Sequence, residues 1–291
     1  PEGTKKFAER QNENTQKNYR SIHNLTLSNV GVGTYLGNPD TETDYVVQNA
    51  IKKSILGGIN VIDSAINYRA QKAERSVGNA IAQLIDNNDI SREEIFVSTK
   101  NGYVTNDGDI KEDLMQYVMR EYGKPGIVKE GDISPGYHCM TLPYLNDQLE
   151  RSLKNLGLSC IDLMYLHNSV EGQTHISREE FLKNLREVFN FYEKKRKDGK
   201  IRFYGMATWE CFRVTQENPL FLQLSEVMEL AVEVGGHEHG RQCFDHKDND
   251  GDGKSDCDDS DCRKDPRARW HCRHERNHRE RDHRERNNNQ H

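Results

Sequence analysis

The stretch Asn60-Val61-Ile62-Asp63-Ser64-Ala65-Ile66-Asn67-Tyr68-Arg69, continuing through Gln71-Lys72-Ala73-Glu74-Arg75-Ser76-Val77-Gly78-Asn79-Ala80-Ile81, decides how the rest of the chain is read. Val61-Ile62 is a short apolar run that ends in a carboxylate, Asp63. A loop carrying Tyr68 follows, and then Val77, Ile81 and Leu84 recur at helical spacing. A buried strand, a loop with ionisable groups and a covering helix make one β/α unit. In parallel α/β folds the chemistry sits where strands end and loops begin. That rule singles out Asp63 and Tyr68.

The same alternation extends in both directions. Residues 19–35 alternate weakly through Ile22, Leu25, Leu27, Val30 and Val32 and read as a hairpin leading into a first strand. Residues 41–56 place Val46, Val47, Ala50, Ile51 and Ile55 at helical spacing, and Gly57-Gly58 stops the helix. Ile95-Phe96-Val97-Ser98 is the next strand, ending at Lys100, and residues 101–134, rich in Gly and Asp, form a long connection. Leu145, Leu149, Leu153 and Leu156 mark a helix that Gly157 ends. Ile161-Asp162-Leu163-Met164-Tyr165-Leu166 is a strand that ends at His167. Ser177 and Glu180 form a capping-box pattern that opens a helix with Phe181, Leu185, Val188, Phe189 and Tyr192 on its core face. Residues 201–208 read as a fifth strand, and residues 220–234 as a fifth helix on the Leu224, Val227, Met228, Ala231 face.

Five β/α units in strict alternation predict a parallel sheet. A closed barrel of this kind needs eight strands. After Gly235-Gly236 a sixth strand is due, but residues 237–245 have no strand pattern. The predicted fold class is therefore α/β: a partial (β/α)8 TIM barrel of about five units, followed by a disordered or loop-rich tail. The predicted divisions are a disordered N-terminal segment at 1–18, the partial barrel at 19–236, and a low-complexity tail at 237–291. An open sheet of this kind leaves an edge unpaired.

Composition sets further bounds. Of 291 residues 34% are hydrophobic, and the deficit lies almost wholly beyond Val234. Mean hydropathy is −0.95. A net charge of −6 argues against a chain-wide polyanion-binding role. No stretch approaches the apolar length of a membrane span. No signal peptide is visible, although the chain begins at Pro1 rather than Met. Cys139, Cys160 and Cys211 are scattered as in a reduced, cytoplasmic protein, whereas Cys243, Cys257, Cys262 and Cys272 cluster in the tail and suit disulfides or a metal.

Asp63 with Tyr68, then Lys100 in Ser98-Thr99-Lys100, then His167 in Tyr165-Leu166-His167, resembles the Asp-Tyr-Lys-His tetrad of the aldo/keto reductases. The resemblance runs from about Phe7 to about Gly236. It takes in Gly31-Val32-Gly33-Thr34-Tyr35 and Gly199-Lys200-Ile201-Arg202-Phe203-Tyr204-Gly205. It implies NADPH-dependent reduction of a small aldehyde or ketone. Such a reaction needs a hydride donor and a proton donor. A tyrosine at its reference pKa of about 10 is a poor acid at neutral pH, and a nearby ammonium eases its proton release. By resemblance Tyr68 is the general acid, Lys100 tunes it, Asp63 pairs with Lys100, and His167 orients the carbonyl. The resemblance also puts Gly33, Thr34 and Tyr35 beside the nicotinamide, and Thr208 on its carboxamide. In the family the residues that grip the adenosine phosphate follow the seventh and eighth strands. Their absence from this pattern implies a C-terminally truncated barrel, weakened cofactor binding, and room for completion of the barrel by another chain.

Two other dehydrogenase readings fit less well. The Gly31-Val32-Gly33-Thr34-Tyr35-Leu36-Gly37 run is a weak Rossmann signal, because Asn38-Pro39-Asp40 intervenes before any helix. Tyr68 and Lys72 have the Tyr-x-x-x-Lys spacing of short-chain dehydrogenases, but that pair belongs inside a helix far downstream of a Gly-rich loop.

The tail carries a separate motif. Asp248, Asp250, Asp252, the carbonyl of Lys254, Asp256 and Asp259 follow the calcium-loop pattern, with Gly253 at the turn and Asp where a bidentate Glu is usual. The segment resembles Asp-rich calcium repeats of extracellular proteins, and calcium is the ion it implies. A non-enzymatic calcium-binding protein, or an inactive chimeric chain, is thus the second reading. His237 and His239 read as loop material. Residues 267–286 alternate Arg, His and Glu, which favours a solvated segment over a nucleic-acid-binding arm.

Overall fold

The computed structural model describes residues 2–235. The calcium-loop residues Asp248 to Asp259, the tail cysteines, His237, His239 and the Arg/His tract lie outside the described residues. The chain divides into two compact units, Pro1–Leu220 and Phe221–His291. The division falls ahead of the last described helix.

The first unit opens with α1 (Glu2–Glu9) and α2 (Glu13–Gln16). Sequence predicts a disordered segment here, but Thr4, Phe7 and Ala8 share one helical face and are buried. The Phe7 ring meets Tyr19 edge-on at 6.5 Å. Thr4 Oγ1 also accepts from Thr26 N at 3.0 Å, and Arg10 pairs with Glu94 at 2.8 Å. A hairpin follows, β1 (Tyr19–Ile22) with β2 (Leu25–Ser28), turning through His23 and Asn24 at positive φ. The Asn60 side chain joins this hairpin to the main sheet: its Oδ1 accepts from Ser28 N at 2.8 Å and its Nδ2 donates to Thr26 O at 2.9 Å.

The main sheet is parallel and five-stranded, in the order β3-β4-β5-β6-β7. Its strands are β3 (Val32–Gly33), β4 (Val61–Asp63), β5 (Phe96–Asn101), β6 (Ile161–His167) and β7 (Ile201–Ala207). Spatial order equals chain order, which is the (β/α)-barrel arrangement. α3 (Thr41–Leu56) and α4 (Lys72–Asp86) follow β3 and β4. The long connection after β5 holds α5 (Leu114–Val118) and one π turn, Met119–Gly123. α6 (Leu142–Leu156) then returns the chain to β6. α7 (Ser169–Gly172) and α8 (Arg178–Lys197) follow β6. In the second unit the described residues include α9 (Leu224–Gly235).

Helix ends obey local chemistry. Asp40 caps α3 by accepting from Thr43 N at 2.7 Å, and Ser177 caps α8 by accepting from Glu180 N at 3.2 Å. Gly157 ends α6 with φ 63°, a left-handed conformation that glycine adopts freely. The expected core faces of α4, α6 and α8 are buried at Val77, Ile81, Leu84, Leu145, Leu149, Leu153, Leu156, Leu185, Val188 and Phe189. Each such side chain contributes about 1.5–3 kcal/mol by leaving water. The face of α3 differs from expectation. Ile51 and Ile55 are buried, but Val46 is 58% exposed and Ala50 is exposed. The stripe runs at spacing i, i+4, i+8 from Val47, and Val46 and Ala50 fall one step round the helix.

α4 and α6 approach closely because Gly78 has no side chain. A Cβ there would lie 2.7 Å from the carbonyl oxygens of both Asn155 and Leu156. Beside this crossing Glu74 is fully buried and accepts from Thr99 Oγ1 at 2.6 Å and Asn155 Nδ2 at 2.9 Å. Burial pushes its carboxyl pKa up. These bonds tie α4 to β5 and α6 and so hold the loop between β4 and α4. No helix among the described residues is long and apolar enough to cross a membrane.

Candidate active site

Parallel register brings the strand ends to one side. Gly33 pairs with Asp63, Asp63 with Ser98, Lys100 with Tyr165, and His167 with Ala207. Asp63, Lys100 and His167 therefore end consecutive strands. The polar residue that closes each apolar run marks where the chain leaves the core.

Lys100 is buried, and its ammonium donates to Asp63 Oδ2 at 2.6 Å and to the Ser64 carbonyl at 2.7 Å. The same ammonium lies 4.7 Å from the centroid of the Tyr68 ring. Asp63 is held from its other oxygen, Oδ1, which accepts from Ser98 Oγ at 2.7 Å. Tyr68 meets His167 edge-on, with centroids 5.8 Å apart, and Tyr35 packs on its other side at 5.0 Å. All four residues of the expected tetrad thus meet.

Tyr68 is presented by an unusual loop. Ser64 N and Ile66 N donate to the carbonyls of Ser98 and Lys100, carrying the β4–β5 ladder onward before the chain turns at Tyr68. Arg69, Ala70 and Gln71 then follow one another at φ of 52°, 51° and 70°. Non-glycine residues there cost about 1–2 kcal/mol each, so the surroundings must compensate. Arg69 is buried and donates to the carbonyls of Asn38 at 2.8 Å and Asp40 at 3.3 Å, and pairs with Asp44. Gln71 donates to Asn106 O at 3.0 Å.

His167 ends β6 with its Nδ1 buried and unpartnered. Burial first, then the Lys100 and His138 charges, push its pKa down to about 3, so the ring is neutral. His138 supports it from behind: Nε2–H donates to the His167 carbonyl at 2.8 Å, and Nδ1 accepts from the Gln173 amide at 3.0 Å. Burial lowers the His138 pKa to about 4. Gly102, at φ 118°, permits this contact, since a Cβ there would lie 2.4 Å from His138 Nε2.

Tyr68 and His167 line a cavity of about 590 Å³, whose wall also includes Tyr35, Asn67, Tyr103, Asn168, Glu171 and Trp209. Asn67 Oδ1, Asn168 Oδ1 and Glu171 Oε2 are buried with no donor among the described residues. Thr34 Oγ1 lies 3.0 Å from Ser64 Oγ and 3.2 Å from the Asp63 carbonyl. A Cβ at Gly33 would meet only open space. Thr208 is not in the cavity wall; its hydroxyl donates to Glu171 Oε1 at 2.5 Å. Glu171 Oε1 also accepts from Glu210 N at 2.8 Å, and hydrogen bonding holds this carboxyl below its ordinary pKa against the pull of burial. Sequence does not single out Tyr103, Asn168, Glu171 or His138. The available signal was position: Tyr103 stands just beyond Lys100, and Asn168 directly follows His167. Among the described residues no cluster of His, Cys, Asp and Glu is arranged to hold a metal, and Cys139, Cys160 and Cys211 are free thiols.

A family model described as the aldo/keto reductase family matches residues 29–231. An aldo-keto reductase of Schizosaccharomyces pombe, with NADP(+) in its name, is 31% identical over 120 residues, covering 41% of this chain and 25% of the relative. An Escherichia coli protein named NADH-specific methylglyoxal reductase is 27% identical over 208 residues, covering 70% of this chain and 54% of the relative. The chain spans about half or less of the length of these curated relatives. Among solved structures, an aldo/keto reductase from Klebsiella pneumoniae in complex with NADP and acetate aligns with a TM-score of 0.41 at 20% identity, covering 66% of this chain and 52% of that one. The Gluconobacter oxydans glycerol dehydrogenase aligns at 0.44 and 22%, covering 66% and 49%.

Proposed function

Because this chain belongs to the aldo/keto reductase family, we propose that it reduces an aldehyde or ketone with a nicotinamide cofactor, NADP(H) by preference, and that Tyr68 donates the proton. One observation carries the reading: the Lys100 ammonium bridges the Asp63 carboxylate and the Tyr68 ring beside a neutral His167.

The residues fit such a cofactor at its reactive end. Asn67 and Asn168 turn unpartnered buried oxygens toward no protein donor in the wall of the cavity, which suits the NH₂ of a carboxamide. Tyr35 offers an aromatic wall, Gly33 leaves open space beside it, and buried Thr34 holds the end of β4 through Ser64 and the Asp63 carbonyl. Thr208, whose proton goes to Glu171, is left with acceptor capacity only. When bound, the cofactor would supply the hydride.

The chain's own groups handle the proton and the carbonyl. The Lys100 ammonium favours the phenolate left when Tyr68 gives up its proton. Asp63 keeps that ammonium charged and aimed. A neutral imidazole at His167 can hydrogen-bond the carbonyl oxygen and orient it without competing as a proton source. Tyr35, Tyr103 and Trp209 give the cavity aromatic walls.

Fluorescence titration of the full chain with NADPH and with NADH, followed by turnover of simple aldehydes, tests the proposal. Quenching or sensitised emission with one cofactor, together with aldehyde-dependent oxidation, supports it. Absence of both removes it. For residues 248–259 the sequence pattern alone supports calcium. Calorimetry at millimolar calcium, on peptide 243–262 oxidised and reduced, tests that separate reading.

A further inference from the structure

We propose that Glu171 sets the charge of the substrate: the cavity takes neutral or cationic carbonyl compounds, best those with a hydrogen-bond donor near the carbonyl, and rejects those bearing a carboxylate or phosphate there. This inference rests on the reductase reading of the same site.

Glu171 stands on α7, just beyond His167, and lines the cavity. Its two oxygens are used differently. Oε1 is saturated by Thr208 Oγ1 at 2.5 Å, Glu210 N at 2.8 Å and Cys211 N at 3.3 Å. Oε2 is buried and meets no donor among the described residues. Three donors on one oxygen fix the carboxylate in place and keep it ionised. The other oxygen remains an unmet acceptor, and a buried acceptor left unmet costs about 1–3 kcal/mol. A substrate hydroxyl or ammonium would meet it.

Among the described residues no counter-charge intervenes: the cavity wall they form includes a second carboxylate, Glu210, and no lysine or arginine. Lys100 is already neutralised by Asp63 behind the Tyr68 ring. An anionic substituent on a carbonyl held between Tyr68 and His167 would therefore meet the half-buried Glu171 carboxylate, with the exposed Glu210 adding a weaker, solvent-screened repulsion.

The test uses an aldehyde pair of nearly equal shape, 4-carboxybenzaldehyde and 4-carbamoylbenzaldehyde, with the full chain and whichever nicotinamide cofactor binds. The readout is the ratio of kcat/KM for the acid to that for the amide. Glu171→Gln keeps an oxygen for Thr208, Glu210 N and Cys211 N and puts a neutral NH₂ at Oε2. We expect the wild-type ratio to lie well below one, and the variant to raise it about tenfold. Added salt should raise the ratio in both proteins, since Glu210 remains in the variant, and by more in the wild type. A wild-type ratio above one, or a ratio unmoved by Glu171→Gln, overturns the inference while leaving the reductase reading intact. Turnover of neither aldehyde overturns both.

Discussion

The Lys100 ammonium lies 4.7 Å from the centroid of the Tyr68 ring. It is held there by Asp63 Oδ2 at 2.6 Å and by the Ser64 carbonyl at 2.7 Å. A cation over a π face gains about 0.5–2 kcal/mol. Here the contact also sets a positive charge beside the Tyr68 ring. The arrangement depends on strand register, because Asp63 and Lys100 end neighbouring parallel strands.

Tyr68→Phe removes the phenol proton and keeps the ring that packs against Tyr35, His167 and Lys100. Carbonyl reduction should fall by about 10²–10⁴-fold, the usual worth of a placed general acid. Cofactor affinity should stay nearly unchanged. Steady-state kinetics with a parallel NADPH titration measure both. Near-wild-type turnover would reassign the proton donor.

Gly78→Ala sets two effects against each other. Alanine favours a helix by about 1 kcal/mol over glycine. The new Cβ would lie 2.7 Å from two backbone carbonyl oxygens, of Asn155 and Leu156. Backbone atoms in a packed crossing cannot swing aside, and overpacking costs about 1–3 kcal/mol. Net destabilisation is expected, seen as a lower midpoint in a denaturant melt. A higher midpoint would mean that α4 and α6 can part cheaply.

Much of this was legible in the sequence, and the exceptions have physical causes. Short apolar runs such as Val61-Ile62 and Ile161 to Leu166 identify buried parallel strands, and the polar residue closing each run identifies the site. Asp63, Lys100 and His167 stand at such ends, and the resemblance to the reductase tetrad added Tyr68 in the loop beyond Asp63. Glu171 and His138 could not be named, because their roles come from loops that pack against one another: Glu171 reaches the backbone at Glu210, and His138 reaches the His167 carbonyl. No local pattern encodes such pairings. Phe7 in the N-terminal segment illustrates the same limit, since its buried face, Thr4, Phe7 and Ala8, contains only one large apolar side chain.

Arg69 gives a test of the left-handed loop after Tyr68. Arg69→Ala keeps the unfavourable φ of 52° and removes the side chain that holds it. It also strips Asp44 of one partner, although Lys72 remains at 2.8 Å. Destabilisation of about 2–3 kcal/mol is expected. Arg69→Gly loses the same bonds but accepts positive φ without cost, so it should be the more stable of the two by about 1 kcal/mol. Melting both variants decides it. Equal stability would mean that the loop relaxes out of its left-handed conformation once Arg69 is gone.

Acid should weaken the fold through His138 and His167. Both have folded-state pKa values below the ordinary imidazole value of 6.5, at about 4 and about 3, chiefly through burial. The sign follows from proton counting. Between pH 6.5 and 4 the unfolded chain binds protons at both rings while the folded chain binds neither. Stability therefore rises with pH across this window and is lost as pH falls, at up to about 1.4 kcal/mol per pH unit for each group. Above pH 6.5 the two rings contribute no slope. His138→Gln retains an amide N–H for the His167 carbonyl and cannot be protonated. Its stability should fall less steeply than wild type between pH 6.5 and 4, even if it starts lower at pH 7. Denaturant melts of both proteins across that range give the two slopes directly. Parallel slopes would show that His138 takes up its proton in the folded state at an ordinary pH, and so that its ring is less shielded from water than its contacts with Gly102, Gln173 and the His167 carbonyl require.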